Sequence, residues 1–313
     1  MQAKPPYLVT HSGLFHADDV FATAILWLAF GRTTTIRTRD KQVITQAQED
    51  GAIVYDVGLD YSTDKATYDH HQLGGAGLRD TGCPYAAVGL IWKHYGRLAL
   101  EQIPEVPTGY ETEMVFESID KSHIQGIDAL DNGDVTQISK LTSNGATINI
   151  ESISKIISDL NQITSLETLS QDQCFIEAVE LAEKIIKRAA LNATDKLIGI
   201  KRLEQWYKNI EVKGILMMEH YVPWYEFAAI RTNILYVIFP SDGTWLCQCA
   251  PKNVTQQFTS RKLLPTQWHG MNGDELVQIT GINDATFAHK DGFICGALTK
   301  EGCINLAKLA IAQ

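Results

Sequence analysis

Two short segments of this chain carry residues whose types and spacing can do metal chemistry. His11, His16 and Asp18 form an H-x4-H-x-D pattern, and Asp69-His70-His71 follows about 50 residues later. Between them the apolar run Ala52-Ile53-Val54-Tyr55 ends on another carboxylate, Asp56. Carboxylates mixed with imidazoles suit Mn²⁺, whereas an all-carboxylate shell suits Mg²⁺. A pair of such cations needs one bridging carboxylate with terminal ligands on either side, and it activates water against phosphate esters. Asp56 is best placed to bridge. Asp69-His70-His71 supplies a terminal ligand and, from its second histidine, a donor to a substrate phosphate.

Elements must hold those side chains together. Tyr7–Thr10 reads as a short buried strand with His11 at its exit. Asp18–Phe30 reads as a helix, with Val20, Phe21, Ala24, Ile25 and Leu28 at helical spacing. The intervening turn contains Gly13 and lets three side chains converge, with Asp18 and Asp19 at a helix N-terminus where the macrodipole favours anions. Ile36–Arg39 and Ala52–Val57 read as further strands around a polar helix, Lys41–Glu49. Cys83-Pro84 opens a helix that runs to Tyr95, with Gly96 as its stop. Strands alternating with helices predict a mostly parallel sheet whose ligands gather at the carboxyl ends of the strands. Residues 110–131 read as one helix carrying His123, Asp128 and Asp131, residues 132–152 as a polar loop, and Gln171–Leu191 as a long amphipathic helix. A second domain starts near residue 200, with strands at Val212–Met218 and Ile234–Phe239. The Pro240-Ser241-Asp242-Gly243 turn makes a hairpin from the latter to Trp245–Ala250.

The 313 residues are 45% hydrophobic and 9% aromatic, enough for two domains with cores of their own. A net charge of −10 excludes a general duplex-DNA binder, because neutralising phosphates takes a broad basic surface. It leaves room for a short single strand in a local groove. Lys201–Lys262 reverses the balance, with eight Lys and Arg against five Asp and Glu, which fits an anion-facing surface or a solvated face equally. Six cysteines without a C-x-x-C pair point to a reduced compartment. Met1–Pro6 is not a signal peptide, and the apolar stretch near Ala22–Phe30 is too short to cross a bilayer. The expected location is cytoplasmic, with no membrane partner. No G-x-S-x-G elbow occurs, which argues against a serine hydrolase.

The H-x4-H-x-D segment, Asp56-Val57-Gly58 and Tyr68-Asp69-His70-His71-Gln72 resemble the DHH phosphoesterase superfamily, and within it the Myg-type (melanocyte proliferating gene) family. Ile127-Asp128-Ala129-Leu130-Asp131-Asn132-Gly133 resembles that family's fourth acidic motif. Arg261-x2-Leu264-Pro265-x2-Trp268 and Phe287-Ala288-His289-x3-Phe293-Ile294 resemble its closing signature. The resemblance implies that His11 and His16 hold one metal and Asp18 the other, with Asp56 bridging and His70 and Asp131 completing the second site. It also implies that Asp69 orients His70 from behind and that His71 contacts the scissile phosphate. Two positions depart from the pattern: His16 stands where related enzymes carry aspartate, and Asp19 where glutamate is expected.

The expected fold is therefore α/β: a mostly parallel-sheet, DHH-type catalytic domain over residues 1–195, and a smaller α/β substrate-binding domain over residues 196–313. In the second domain Arg261, Lys262 and His289 are the candidate phosphate contacts. Trp245, Trp268 and Phe293 could stack a base or fill a core. The expected function is a metal-dependent phosphodiester hydrolase with two divalent cations, Mn²⁺ before Mg²⁺. Its substrate is a short single-stranded RNA or a small nucleotide, degraded 3′–5′, and a homodimer is compatible with the sequence. The alternatives are a pyrophosphatase or cyclic-dinucleotide phosphodiesterase on the same site, and a noncatalytic nucleotide- or RNA-binding protein. Sparse basic residues near the first-domain motifs (Arg37, Arg39, Lys41, Arg79) lean away from pyrophosphate.

Overall fold

A computed structural model of the chain describes residues 4–133, 140–143, 146–149, 152–161, 169–256 and 259–313. Leu8–Thr10 (β1) is buried at every position because it lies between two parallel neighbours, β2 (Thr35–Arg37) and β3 (Ile53–Tyr55). Beyond β3 come β5 (Thr67–Tyr68), again parallel, and β4 (Tyr61–Ser62), antiparallel at the edge, giving the order β2-β1-β3-β5-β4. Strands covered on both faces are largely apolar, as β3 and the Leu8-Val9 part of β1 are, with Thr10 buried at the end of β1. On one face α2 (Lys41–Glu49) lays Ile44 and Ala47 against Val9 and Val54. On the other, α1 (Ala17–Phe30) reaches β3 through a 2.6 Å hydrogen bond between the hydroxyls of Thr23 and Tyr55. It is apolar nearly all round and is buried from Ala17 to Ala29.

Helix α3 (Ala87–Glu101) packs along α1 and continues past Gly96, where the sequence suggested a stop. A Cβ at Gly96 would lie 2.7 Å from the Trp92 ring and 2.9 Å from Phe116, so this glycine serves packing between helices rather than termination. The expected single helix at 110–131 is α4 (Tyr110–Ile119), a π-helical turn (Asp120–Ile124) and α5 (Gln125–Asp131). Where a loop was expected, β6 (Lys140–Ser143) and β7 (Ala146–Asn149) form a hairpin. Next come α6 (Ile153–Asp159) and α7 (Gln171–Lys208), the latter extending well beyond the predicted Leu191.

The chain divides into two units, Met1–Thr194 and Asp195–Gln313. The second contains β8 (Ile215–Met217), α8 (Tyr225–Ala229), β9 (Tyr236–Ser241), β10 (Thr244–Cys249), α9 (Asp274–Thr280), β11 (Ala285–Ala288), β12 (Ile294–Ala297) and α10 (Lys300–Ala312). Its sheet runs β11-β12-β10-β9-β8, antiparallel except for β8 with β9. The β9–β10 hairpin turns through Asp242 and Gly243, both at positive φ, as tight hairpins favour. Cys247, Cys249, Cys295 and Cys303 are free thiols that fill this unit's core beside the fully buried Trp268. Among the described residues no helix is long and apolar enough to cross a membrane.

Candidate metal centre

Three parallel strands of the first unit end at Thr10, Tyr55 and Tyr68, and the residues that follow immediately are His11, Asp56 and Asp69. The sheet order reverses between β1 and β3, which is where an open α/β sheet leaves a crevice. Asp56 takes a left-handed conformation (φ 54°), which a short polar side chain tolerates better than most. Leu59 does the same (φ 58°), and its N–H donates to Asp69 Oδ2 at 2.6 Å, which holds the strained turn in place.

The His11–His16 loop is fixed from outside. Arg37 donates to the Gly13 carbonyl at 2.7 Å and Arg39 Nε to that of Ser12 at 3.1 Å. Asn161 clasps Phe15, accepting from its N–H and donating to its carbonyl, both at 2.9 Å. His16 is thereby delivered to the N-cap of α1, where its N–H donates to Asp19 Oδ1 at 2.7 Å. On sequence Asn161 had no role, and Asp19 had a place at the helix N-terminus but not among the ligands. Asn161 has no local signal. Asp19 had one, the three-residue spacing of a reciprocal helix cap.

Three groups of candidate ligands result among the described residues, His11 with His16 and Asp19, Asp18 with His70 and Asp131, and Asp56 with Asp69, His70 and His71; within each, one ligand atom per residue lies within 4.8 Å of the others, and the first two are separate sets. Asp56 stands between them. Its Oδ2 is 3.3 Å from His11 Nε2 and its Oδ1 is 3.5 Å from His70 Nε2. His11 Nε2 also lies 3.4 Å from Asp19 Oδ2, and His70 Nε2 lies 3.2 Å from Asp131 Oδ2 and 3.6 Å from Asp18 Oδ2. Asp19 Oδ2 and His70 Nε2 are buried without any hydrogen-bond partner, so two potential ligand atoms are left for something else to satisfy.

The electrostatics say the same. Burial pushes Asp19 up to about 7, only partly offset by His11. Burial, with Asp56 and Asp131 nearby, raises Asp18 well above the carboxylate range. Burial alone would depress His70, but Asp131, Asp56 and Asp18 raise it to about 11. Burial would likewise raise Asp56, yet His11 and His70 hold it down at about 2. Protons thus occupy a pocket of excess negative charge, as they do where cations can replace them. The donor set is imidazole and carboxylate without thiolate, so it fits divalent cations of the Mn²⁺ and Mg²⁺ kind.

The N-terminus of α3 supports this arrangement from below. Asp18 accepts the N–H groups of Ala87 and Val88 at 2.9 and 2.6 Å, and Asp128 accepts those of Ala86 and Gly89 at 3.1 and 3.0 Å. Ala86 has no capping side chain of its own, so two buried carboxylates satisfy the free end of the helix. Arg79 donates to Asp128 at 2.6 Å and forks onto Asp120 at 2.8 and 2.9 Å, tying the π-helical turn to α5.

The expectation that Asp69 orients His70 is corrected. Its Oδ1 meets His71 Nδ1 at 2.7 Å, and its only contact with His70 is to the backbone N–H. Asp69 therefore orients His71, whose side chain is 54% exposed and borders a cavity of about 890 Å³ with His11, His16, Asp56 and Asp131. In the second unit, Arg261 is occupied by the fold, donating to the carbonyls of Ala228, Ala229, Arg231 and Ile234. Lys262 donates to the Ile311 carbonyl at 2.9 Å, and His289 Nδ1 accepts from Asp291 N–H at 3.2 Å. Arg261 is committed to backbone carbonyls, whereas Lys262 gives one of its three N–H donors to Ile311. Trp268, fully buried, cannot stack a base.

A family model, MYG1_exonuc, described as an uncharacterised protein family (UPF0160), matches residues 7–311. A "MYG1 protein" of Dictyostelium discoideum is 30% identical, covering 98% of this chain and 96% of its own. A "MYG1 exonuclease" of Mus musculus is 29% identical, covering 99% and 86%. Among solved structures, a Vibrio "pGpG-specific phosphodiesterase", PggH, aligns over 98% of both chains at 12% identity with a TM-score of 0.31, too low to establish a common fold.

Proposed function

This chain belongs to the MYG1 family of hydrolytic, nuclease-like enzymes, and from that premise we propose that it is a phosphodiester hydrolase of the DHH type working with two divalent cations. The observation that carries this reading is Asp56, whose two oxygens face two separate ligand sets. His11, His16 and Asp19 would hold one cation, Asp18, His70 and Asp131 the other, and Asp56 both. Asp19 is the addition to the set expected from sequence. When bound, such a pair lowers the pKa of water and neutralises charge on phosphoryl oxygens.

The remaining groups bind and orient. Asp69, ionised and held by backbone donors, keeps the proton of His71 on Nδ1 and turns Nε2 towards the cleft. The pairing with Asp69 raises the His71 imidazole, so both its nitrogens can be donors and Nε2–H can meet a phosphate oxygen. The apolar walls of the cleft, Ile44, Val57, Leu59, Ile127 and Leu130, exclude water from one side. A volume of about 890 Å³ suits a nucleotide-sized group at a strand's end. The substrate we propose is a short single-stranded RNA or small nucleotide, shortened from its 3′ end, with Mn²⁺ as the working ion.

The test is Mn²⁺ stoichiometry by equilibrium dialysis together with mononucleotide release from a short 5′-labelled oligoribonucleotide, pyrophosphate being run alongside. Wild type should bind two ions and shorten the RNA stepwise. Asp56→Asn and His70→Ala should each lower turnover by more than the ~10–100-fold seen when a ligand's outer partner is lost. Pyrophosphate cleavage alone would overturn the substrate, and metal binding without any turnover would overturn the enzymatic reading.

A further inference from the structure

The cavity beside the candidate ligands has a second wall that the metal chemistry does not use. Helix α2 contributes Lys41, Ile44, Thr45 and Gln48 to its lining, the i, i+3, i+4, i+7 stripe of a single helix face. Seven residues of helix rise ~10 Å, so this wall leads well away from the strand ends where the ligands stand. The exit of β3 closes onto it. A Cβ at Gly58, two residues after Asp56, would lie 3.3 Å from Ile44 Cγ2 and 4.0 Å from Gln48 Nε2. The next residue, Leu59, lines the same cavity with its side chain 64% exposed, on a backbone that Asp69 pins at 2.6 Å.

Gln48 is half-buried, and among the described residues neither its amide nor the Thr45 hydroxyl has a hydrogen-bond partner. Apolar surface from Ile44 and Leu59 next to an unpaired amide suits a ligand with apolar faces and a polar edge. A nucleobase has that form, whereas inorganic phosphate would leave both the apolar surface and the amide unused. An amide sets one acceptor beside N–H donors. Adenine answers with its N6 amino group and N7, a donor beside an acceptor, and guanine presents two acceptors, O6 and N7. Against guanine the amide carbonyl is left facing another acceptor, and a half-buried polar group without its partner costs affinity.

We propose that Gln48 reads the base of a nucleotide whose phosphate lies at the metal centre, and that it favours adenine over guanine. The inference rests on the phosphodiesterase reading above and adds a base preference to it. Its test is calorimetric titration with AMP and with GMP in Mn²⁺, and with Mn²⁺ alone, on wild type, Gln48→Met and Gln48→Leu. Neither nucleotide has a diester to cleave, so binding is read without turnover. Methionine keeps the unbranched side chain and its helix propensity while removing the amide.

Wild type should bind AMP ~10-fold more tightly than GMP. Both variants should lose that difference through weaker AMP binding, with GMP and Mn²⁺ affinities unchanged. Equal affinities in wild type, a preference for GMP, or an adenine preference that survives in either variant would overturn this inference alone. A parallel loss of Mn²⁺ affinity in the variants would overturn it too, by making Gln48 a support of the fold. Wild type that binds Mn²⁺ but neither nucleotide would overturn the nucleotide substrate, and wild type that binds no Mn²⁺ the metal-site reading; this inference falls with either.

Discussion

Asp56 and Asp19 differ in what surrounds them, and the difference sets how the protein responds to pH. Asp56 sits between two imidazoles and is held at about 2, so its contribution to stability is lost only as pH falls from 3.8 towards 2. Asp19 is driven up to about 7 by burial, and His70 to about 11 by its carboxylates. In the metal-free protein the folded state then holds more protons than the unfolded chain, from about pH 4 to 7 through Asp19 and from about 6.5 to 11 through His70. Stability must fall as pH rises through both windows. The thermal midpoint of metal-free protein should decline from about pH 5 to 9, and Asp19→Asn should flatten the lower part of that decline. Saturating Mn²⁺ should oppose it, with proton release on binding, because cations take the place of those protons. Melts across pH with and without Mn²⁺ check this, and an unchanged profile in Asp19→Asn would refute it.

The N-terminus of α3 is the element on which the floor of the site rests. Ordinarily Gly→Ala inside a helix is favourable by ~1 kcal/mol. At Gly89 a Cβ would lie 2.2 Å from Asp128 Oδ2, the carboxylate that accepts from Ala86 and Gly89 and pairs with buried Arg79. Gly89→Ala should therefore destabilise the protein by ~2–4 kcal/mol, by overpacking and by leaving those donors unsatisfied. It should also weaken Mn²⁺ binding, because Asp131 lies one turn beyond Asp128 on α5. Denaturant melts and a Mn²⁺ titration of the variant test both, and a stabilised Gly89→Ala would sink the argument. Glycine spacing in the sequence could not have predicted this, since Asp128 approaches from a separate helix.

At the scale of the whole molecule, each unit has its own sheet and core, and every proposed metal ligand belongs to the first. A ligand stabilises only the part it binds. Mn²⁺ should slow hydrogen exchange in β1, the His11–His16 loop and the start of α3, and leave the β9–β10 hairpin unchanged; equal protection in both would contradict it. The sequence by itself marked β1, β3, the helices α1 and α2 and the candidate ligands, because buried parallel strands are continuously apolar and polar residues at their exits stand out. It did not reveal the clasp of Asn161 on Phe15, the orphaned oxygen of Asp19, the turn of Asp69 towards His71, or the use of Arg261 on backbone carbonyls. Those contacts join residues far apart in the chain, or depend on which way a short side chain points. Local patterning fixes which residues stand at a strand's end, and only tertiary packing decides which atoms are left without partners there.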